Sequence, residues 1–135
     1  MAQGAGVQVR GRVHIPAAAA TFDGAWILVR LEDVSLADAA ALVVAEQVIR
    51  DISHATGRET TVPFVLRTTS ALDPRAHYSV RAHVDLTHAG RVTIGDLVSA
   101  ESYPVRVDRP PAHVDAPAVP GLDVPEIDVY VKTVR

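Results

Sequence analysis

The sequence predicts an all-β fold: a seven-stranded antiparallel Greek-key β-sandwich of the immunoglobulin or fibronectin type. Segments in which apolar and polar residues alternate with a period of two recur along the chain, as expected of strands with one buried face. Turn-forming residues separate these segments at short intervals. Leu72, Pro74 and Tyr78 also have the spacing of a tyrosine corner, in which a Tyr hydroxyl bonds to backbone just upstream.

The most regular strand begins at Tyr78 and ends at Leu86. One face carries Tyr78, Val80, Ala82, Val84 and Leu86, and the other carries Ser79, Arg81, His83 and Asp85. We therefore expect the first face in the core and the second in water.

The other strands are predicted over residues 7–13, 25–33, 42–52, 60–67, 96–104 and 127–134. Residues 42–52 have a helix-forming composition, but their many Val and Ile residues favour a strand. Pro63 places the fourth strand at a sheet edge or a bulge, because proline cannot donate a ladder hydrogen bond. Ser35 and Asp38 form a short capping box that predicts one helical turn over residues 36–40.

The chain is predicted to be one domain, residues 1–135, with a main body over residues 6–104. Residues 105–125 form a proline-rich extended crossover, because Pro110, Pro111, Pro117, Pro120 and Pro125 all lack an amide donor. Residues 126–135 add the C-terminal strand.

Composition excludes several classes of function. A net charge of −3 with scattered Arg gives no electrostatic reason to expect nucleic acid. The absence of cysteine excludes disulfides and thiol chemistry, and no run is long enough to span a membrane. Because no leader is visible over residues 1–6, we expect a cytoplasmic protein, or one in the cell envelope if a leader was removed.

One segment has the spacing of a calcium-binding loop, with Asp85 at its first position and Asp96 at its twelfth. Gly90 stands at the sixth position, but Thr87 and Ala89 stand where two oxygen ligands are needed. Because affinity depends on the number of charged oxygens, a hairpin turn is the favoured interpretation. No metal or other cofactor is expected.

No catalytic constellation is apparent. His77 and His83 are too far apart along one strand to share an ion, whereas His83 and Asp85 are close enough to pair. Asp33, Ser35 and Asp38 cluster in sequence without a base nearby, so turn and capping bonds explain them. The sequence predicts a protein that is not an enzyme.

Four blocks of sequence carry a family resemblance: residues 29–39, 44–47, 62–64 and 73–82, the last containing Asp73-Pro-Arg and Tyr78. Together they resemble the YbaY family, which is similar to the YscW pilotins of type III secretion. The resemblance implies a small β-sandwich, usually an envelope lipoprotein, and pilotins of this kind help a secretin reach or assemble in the outer membrane. Because no lipobox cysteine is present, lipid anchoring does not carry over. The family has no agreed catalytic motif, so no active-site residues transfer.

Two functional hypotheses follow. The first is an accessory protein that binds a protein or peptide partner by adding a strand to an open sheet edge, an edge that also permits homo-oligomers. The second is a small-molecule or glycan carrier in which Trp26, Phe64 or Tyr103 stacks on the ligand.

Overall fold

The computed structural model describes residues 7–36, 39–69, 71–105 and 126–135, and within them the fold is all-β. The eight strands are β1 (Gln8–Ile15), β2 (Phe22–Asp33), β3 (Leu42–His54), β4 (Thr60–Arg67), β5 (Tyr78–Asp85), β6 (Leu97–Ser99), β7 (Pro104–Val105) and β8 (Ile127–Thr133). In these ranges no helix is long and apolar enough to cross a membrane.

The strands form one strongly curved sheet in the order β3-β2-β5-β6-β8-β1-β4, with β7 paired to β5. The two end strands, β3 and β4, lie close together: the Val65 amide on β4 donates a 2.7 Å hydrogen bond to the Gln47 side chain on β3. The sheet is therefore nearly closed and resembles a barrel. The all-β class is confirmed, but the architecture is a nearly closed sheet of eight strands and not clearly the predicted seven-stranded Greek-key sandwich.

The predicted antiparallel pairing is wrong at one place. β8 pairs parallel to β1, with Gly11 beside Ile127 and Val13 beside Val129, and antiparallel to β6. Alternation of residues tells which face of a strand is buried but not the direction of its neighbour, so the pattern could not reveal this.

The predicted sixth strand, residues 96–104, is two short strands, β6 and β7, that both pair with β5. The amide and hydroxyl of Ser35 both donate to the Asp33 carboxylate, and the same hydroxyl accepts the His77 amide. Asp38, within the predicted helical turn, and residues 106–125 of the predicted crossover lie outside the described residues.

The core is enclosed by the concave face of the sheet and consists almost entirely of aliphatic side chains. β1, β2, β4, β5 and β8 each alternate between buried and more exposed positions, as the period of two predicts. The fully buried side chains include Phe64, Ile15, Ile27, Leu31, Leu66, Leu97, Val9, Val13, Val29, Val80, Val84 and Val129.

Gly11 lies where β1 is paired on both sides, facing Phe64 on β4 and Ile127 on β8. A Cβ atom at this position would overlap the Ile127 carbonyl oxygen and lie 2.7 Å from Cζ of Phe64. Glycine is therefore required here for the close approach of β8, not for an unusual backbone conformation.

The segment before β5 is fixed by Tyr78. The Asp73 amide donates a 2.9 Å hydrogen bond to the Tyr78 hydroxyl, and the Ala76 amide closes a turn on the Asp73 carbonyl. Pro74 lies within this turn, and Leu72 is buried in the core next to it.

Gly11→Ala is expected to lower the free energy of unfolding by about 1–3 kcal/mol, since the added methyl group meets backbone that cannot rotate away. Urea unfolding followed by circular dichroism measures the change. Arg10→Ala, an exposed neighbour on β1, is the control. Equal midpoints for the two variants would contradict the close packing of β8 against Gly11.

Tyr78→Phe is expected to cost about 1 kcal/mol, because the Asp73 amide loses its acceptor while the ring still fills the core. The same unfolding measurement tests it, with Tyr130→Phe as the control at a largely exposed tyrosine. A neutral result at Tyr78 would show that its hydroxyl does not fix this segment.

Candidate functional site

Residues 86–96, between β5 and β6, form a loop anchored by two buried aspartates. Asp85 and Asp96 are each only 1% exposed. The Asp85 carboxylate accepts hydrogen bonds from the amides of Ala89 (3.2 Å) and Gly90 (3.0 Å). Gly90 has a φ of 78°, a left-handed conformation that glycine adopts without strain.

Asp96 holds the other end of the same loop. Its carboxylate accepts the amides of Leu86 and Thr93 and the Nε2–H of His83, at 3.1, 3.0 and 2.8 Å. Burial alone would raise the pKa of Asp96, but the hydrogen bonds from His83 and the two amides outweigh it and hold the pKa below its usual value. The partner of His83 is therefore Asp96, not Asp85 as the sequence predicts.

His83, Asp85 and Asp96 place their ligand atoms within 4.8 Å of one another, close enough to contact one metal ion. All four carboxylate oxygens, however, already accept hydrogen bonds from N–H groups of the loop or of His83. Thr87, the remaining candidate calcium ligand, is exposed. These hydrogen bonds hold both ends of the loop, so the two carboxylates act as structural anchors.

Trp26 contacts this loop. The His88 ring stacks on the indole at 4.3 Å between centroids, and the Arg50 guanidinium lies 5.0 Å from the ring centroid. A β-bulge in β3 gives Arg50 this position: the register with β2 shifts there, and Asp51 adopts a φ of 59°. The indole is thus packed against protein side chains.

The three aromatic residues predicted as ligand contacts do not share a surface. Phe64 is only 2% exposed and packs in the core beneath Gly11. The Tyr103 hydroxyl accepts the Tyr130 amide at 3.0 Å and donates to the Tyr130 carbonyl at 3.3 Å, which ties it to β8. The three residues therefore do not act together, and stacking of a ligand on Trp26 or Tyr103 stays a prediction.

The structure reveals an apolar surface that the sequence reasoning missed, at the start of β3. Six exposed aliphatic residues lie on β3 or in the segment that leads to it: Val34, Leu36, Leu42, Val43, Val44 and Val48. The signal was present, because consecutive apolar residues at 42–44 cannot all face the core of a strand. This set is called the β3 apolar surface below.

A second missed feature is a cavity of about 500 Å³ on the outer face of β2, β5 and β6. Arg30, Arg81 and His83 line it from the strands, and Arg91 lines it from the loop. Sequence alone could not predict this cavity, because it exists only where the loop meets the sheet.

The sequence model of the family described as type III secretion system lipoprotein chaperone, YscW, matches residues 5–113. The chain belongs to this family. The narrower resemblance to YbaY stays a prediction. No curated protein matches the chain.

Among solved structures, the chain is similar to an alternative pilotin from the type II secretion system of Vibrio cholerae. The two are 25% identical, the alignment covers 92% of this chain and 96% of the pilotin, and the TM-score is 0.57. The YscW family and this neighbour support a non-enzymatic role in protein interaction.

Asp96→Asn is expected to lower the free energy of unfolding at pH 7 by roughly 1–3 kcal/mol, because a buried, hydrogen-bonded charge is removed. The folded-state pKa of Asp96 lies below its unfolded value of about 3.9. Its contribution is therefore complete above that pH and is lost as the pH falls through the folded pKa.

Urea unfolding of both proteins between pH 7 and pH 2 tests this expectation, and the difference between them should shrink below about pH 4. Glu101→Gln, at an exposed carboxylate, serves as the control. A difference that stayed constant down to the lowest pH would contradict the role assigned to the Asp96 carboxylate.

Proposed function

We propose that this protein is a non-enzymatic, pilotin-like chaperone of the YbaY type that binds an extended apolar segment of a partner protein along the start of β3. The β3 apolar surface carries this proposal. Leu42 is 67% exposed and Val43 52%, values that are unusual for large aliphatic residues on a strand.

Among the residues that the structure describes, none pairs with the outer hydrogen-bonding edge of β3 at the same place. β3 is an end strand of the sheet and pairs through its other edge with β2, where Leu42 lies beside Asp33 and Val43 beside Glu32. Gln47 faces Val65, and β4 ends only two residues later, at Arg67. Residues 42–44 therefore extend past the end of β4.

An open edge with exposed aliphatic side chains is what strand addition requires. The partner's backbone bonds to the free amides and carbonyls, and its apolar side chains pack on the surface beside the edge. Without an occupant, such an edge promotes aggregation, and soluble proteins usually protect it with charge, proline or a bulge. The tip of β3 has neither charge nor proline over residues 42–44, and its one protective feature is a bulge at Val44, where the register with β2 shifts.

The family supports the class of partner. YscW is described as a lipoprotein chaperone of type III secretion, and the similar structure is a pilotin of type II secretion. We infer that the partner is a secretion-system protein, with a secretin as the leading candidate. The site of action is the cell envelope if a leader precedes this sequence in the cell, and the cytoplasm otherwise.

Photo-crosslinking tests this function. A benzophenone amino acid placed at Val43 is expected to cross-link to one apolar segment of a secretin produced in the same cell, and mass spectrometry identifies the segment. Leu42→Lys with Val44→Lys should abolish the cross-link, since charge on an edge strand opposes strand addition.

The matched control is the same benzophenone residue at Ile94, an aliphatic residue that is 84% exposed but lies on the loop between β5 and β6. Cross-linking from Ile94 as efficient as from Val43, or none from Val43, would rule out partner binding at β3.

A further inference from the structure

The cavity on the outer face has the character of a binding site. It lies beside the middle of β3, where Leu28 pairs with Val48, and not at the tip formed by residues 42–44. Its floor is formed by Leu28 on β2 and Val98 on β6, both partly exposed, on either side of His83 on β5. Gly90, Arg91 and Val92 form the rim on the loop side. A volume of about 500 Å³ falls in the range of small ligand pockets.

Two of the arginines that line this cavity are placed so that their charges repel and lower the stability of the fold. Arg30 and Arg81 lie directly opposite each other on paired strands, and like charges in that position are destabilising. Arg30 is compensated by Glu46, whose carboxylate lies 2.6 Å from Nε. Within the part of the chain that the structure describes, neither Arg81 nor Arg91 has an ion-pair partner. Two guanidinium groups thus remain for a ligand, in a chain whose net charge is −3.

The site is also held in place before any ligand arrives. Gly90, next to Arg91, is fixed by the Asp85 carboxylate, and Thr93 is fixed by Asp96. His83 is fixed by its own bond to Asp96. A rim anchored on both sides of Arg91 reduces the ordering cost of binding.

We propose that this cavity binds an acidic peptide segment in which a carboxylate side chain stands beside an aliphatic one. The carboxylate pairs with Arg81 and Arg91, whose guanidinium groups recognise planar anions through paired hydrogen bonds. The aliphatic neighbour packs on Leu28, Val92 and Val98. Since β6 is paired on both edges, with β5 and β8, the peptide is held by side chains and not by strand addition.

The open rim favours a peptide over a free fatty acid. Arg91 and Val92 are both exposed, so the cavity is a depression and not an enclosed tunnel. A long acyl chain needs burial along most of its length to bind well, whereas one or two peptide side chains fit a depression of this size.

NMR titration of the full chain tests the proposal with three probes: acetyl-Leu-Glu-Leu amide, its Gln analogue, and decanoate. The Glu peptide should shift the signals of Arg81, His83 and Arg91 in a saturable way, and added salt should weaken binding. Arg81→Gln and Arg91→Gln should each lower the affinity about tenfold.

Arg67→Gln, at an exposed arginine on β4, should leave the affinity unchanged. The thermal unfolding midpoint of Arg81→Gln should not be lower than that of the wild type, because a pair of opposed like charges is relieved. This second measurement separates loss of binding from loss of folding.

Equal binding of the Glu and Gln peptides would overturn the proposal, since the carboxylate would then contribute nothing. Shifts with decanoate but not with the Glu peptide would also overturn it, in favour of a small amphiphile. No shift with any probe would overturn it as well. None of these results bears on β3, where the Val43 cross-link is measured separately.

Discussion

The pairing of β8 with both β1 and β6 is the interaction on which the rest of the fold depends. Strands β3, β2, β5 and β6 form one run of the sheet, and β1 and β4 form the other. In the described ranges, β8 is the strand that joins them, parallel to β1 and antiparallel to β6. Through this junction the apolar faces of both runs enclose a common core, with Val129 and Val131 of β8 buried in it.

Closure at β8 also determines where the sheet is open. Once the two runs are joined, the end strands of the described sheet are β3 and β4, which approach each other at Gln47 and Val65. β3 is the longer of the two, 13 residues against 8, so its first residues have no opposing strand in β4. The proposed partner site is thus a consequence of the lengths of two strands and of the direction of a third.

Much of this architecture could be predicted from the sequence, because a period of two identifies strands and their buried faces without knowledge of neighbours. That is why the alternation from Tyr78 to Asp85 located β5, and why Pro63 indicated the edge position of β4. The parallel alignment of β8 with β1 could not be predicted in this way, since it depends on the path of the chain between distant segments.

The candidate sites were less predictable for a related reason. Asp85 and Asp96 were identified by their spacing, but spacing does not show which donors reach a carboxylate. The cavity beside Arg81 exists because the loop of residues 86–96 folds over the outer face of the sheet. An alternating pattern of apolar and polar residues does not show which loop covers a face. The apolar surface at the start of β3 was the one feature that the sequence could have revealed, because its consecutive apolar residues break the alternation found in the other strands.

The overhanging start of β3 has a consequence for how the protein behaves in the cell. The β3 edge that accepts a strand from a partner can also accept β3 of a second copy of this chain. Self-association and partner binding then compete for one set of backbone groups. Under the proposed function, self-association lowers the concentration of free chaperone whenever the chaperone is in excess of its partner. Newly made partner then competes for the β3 edge, and the self-associated copies dissociate to bind it.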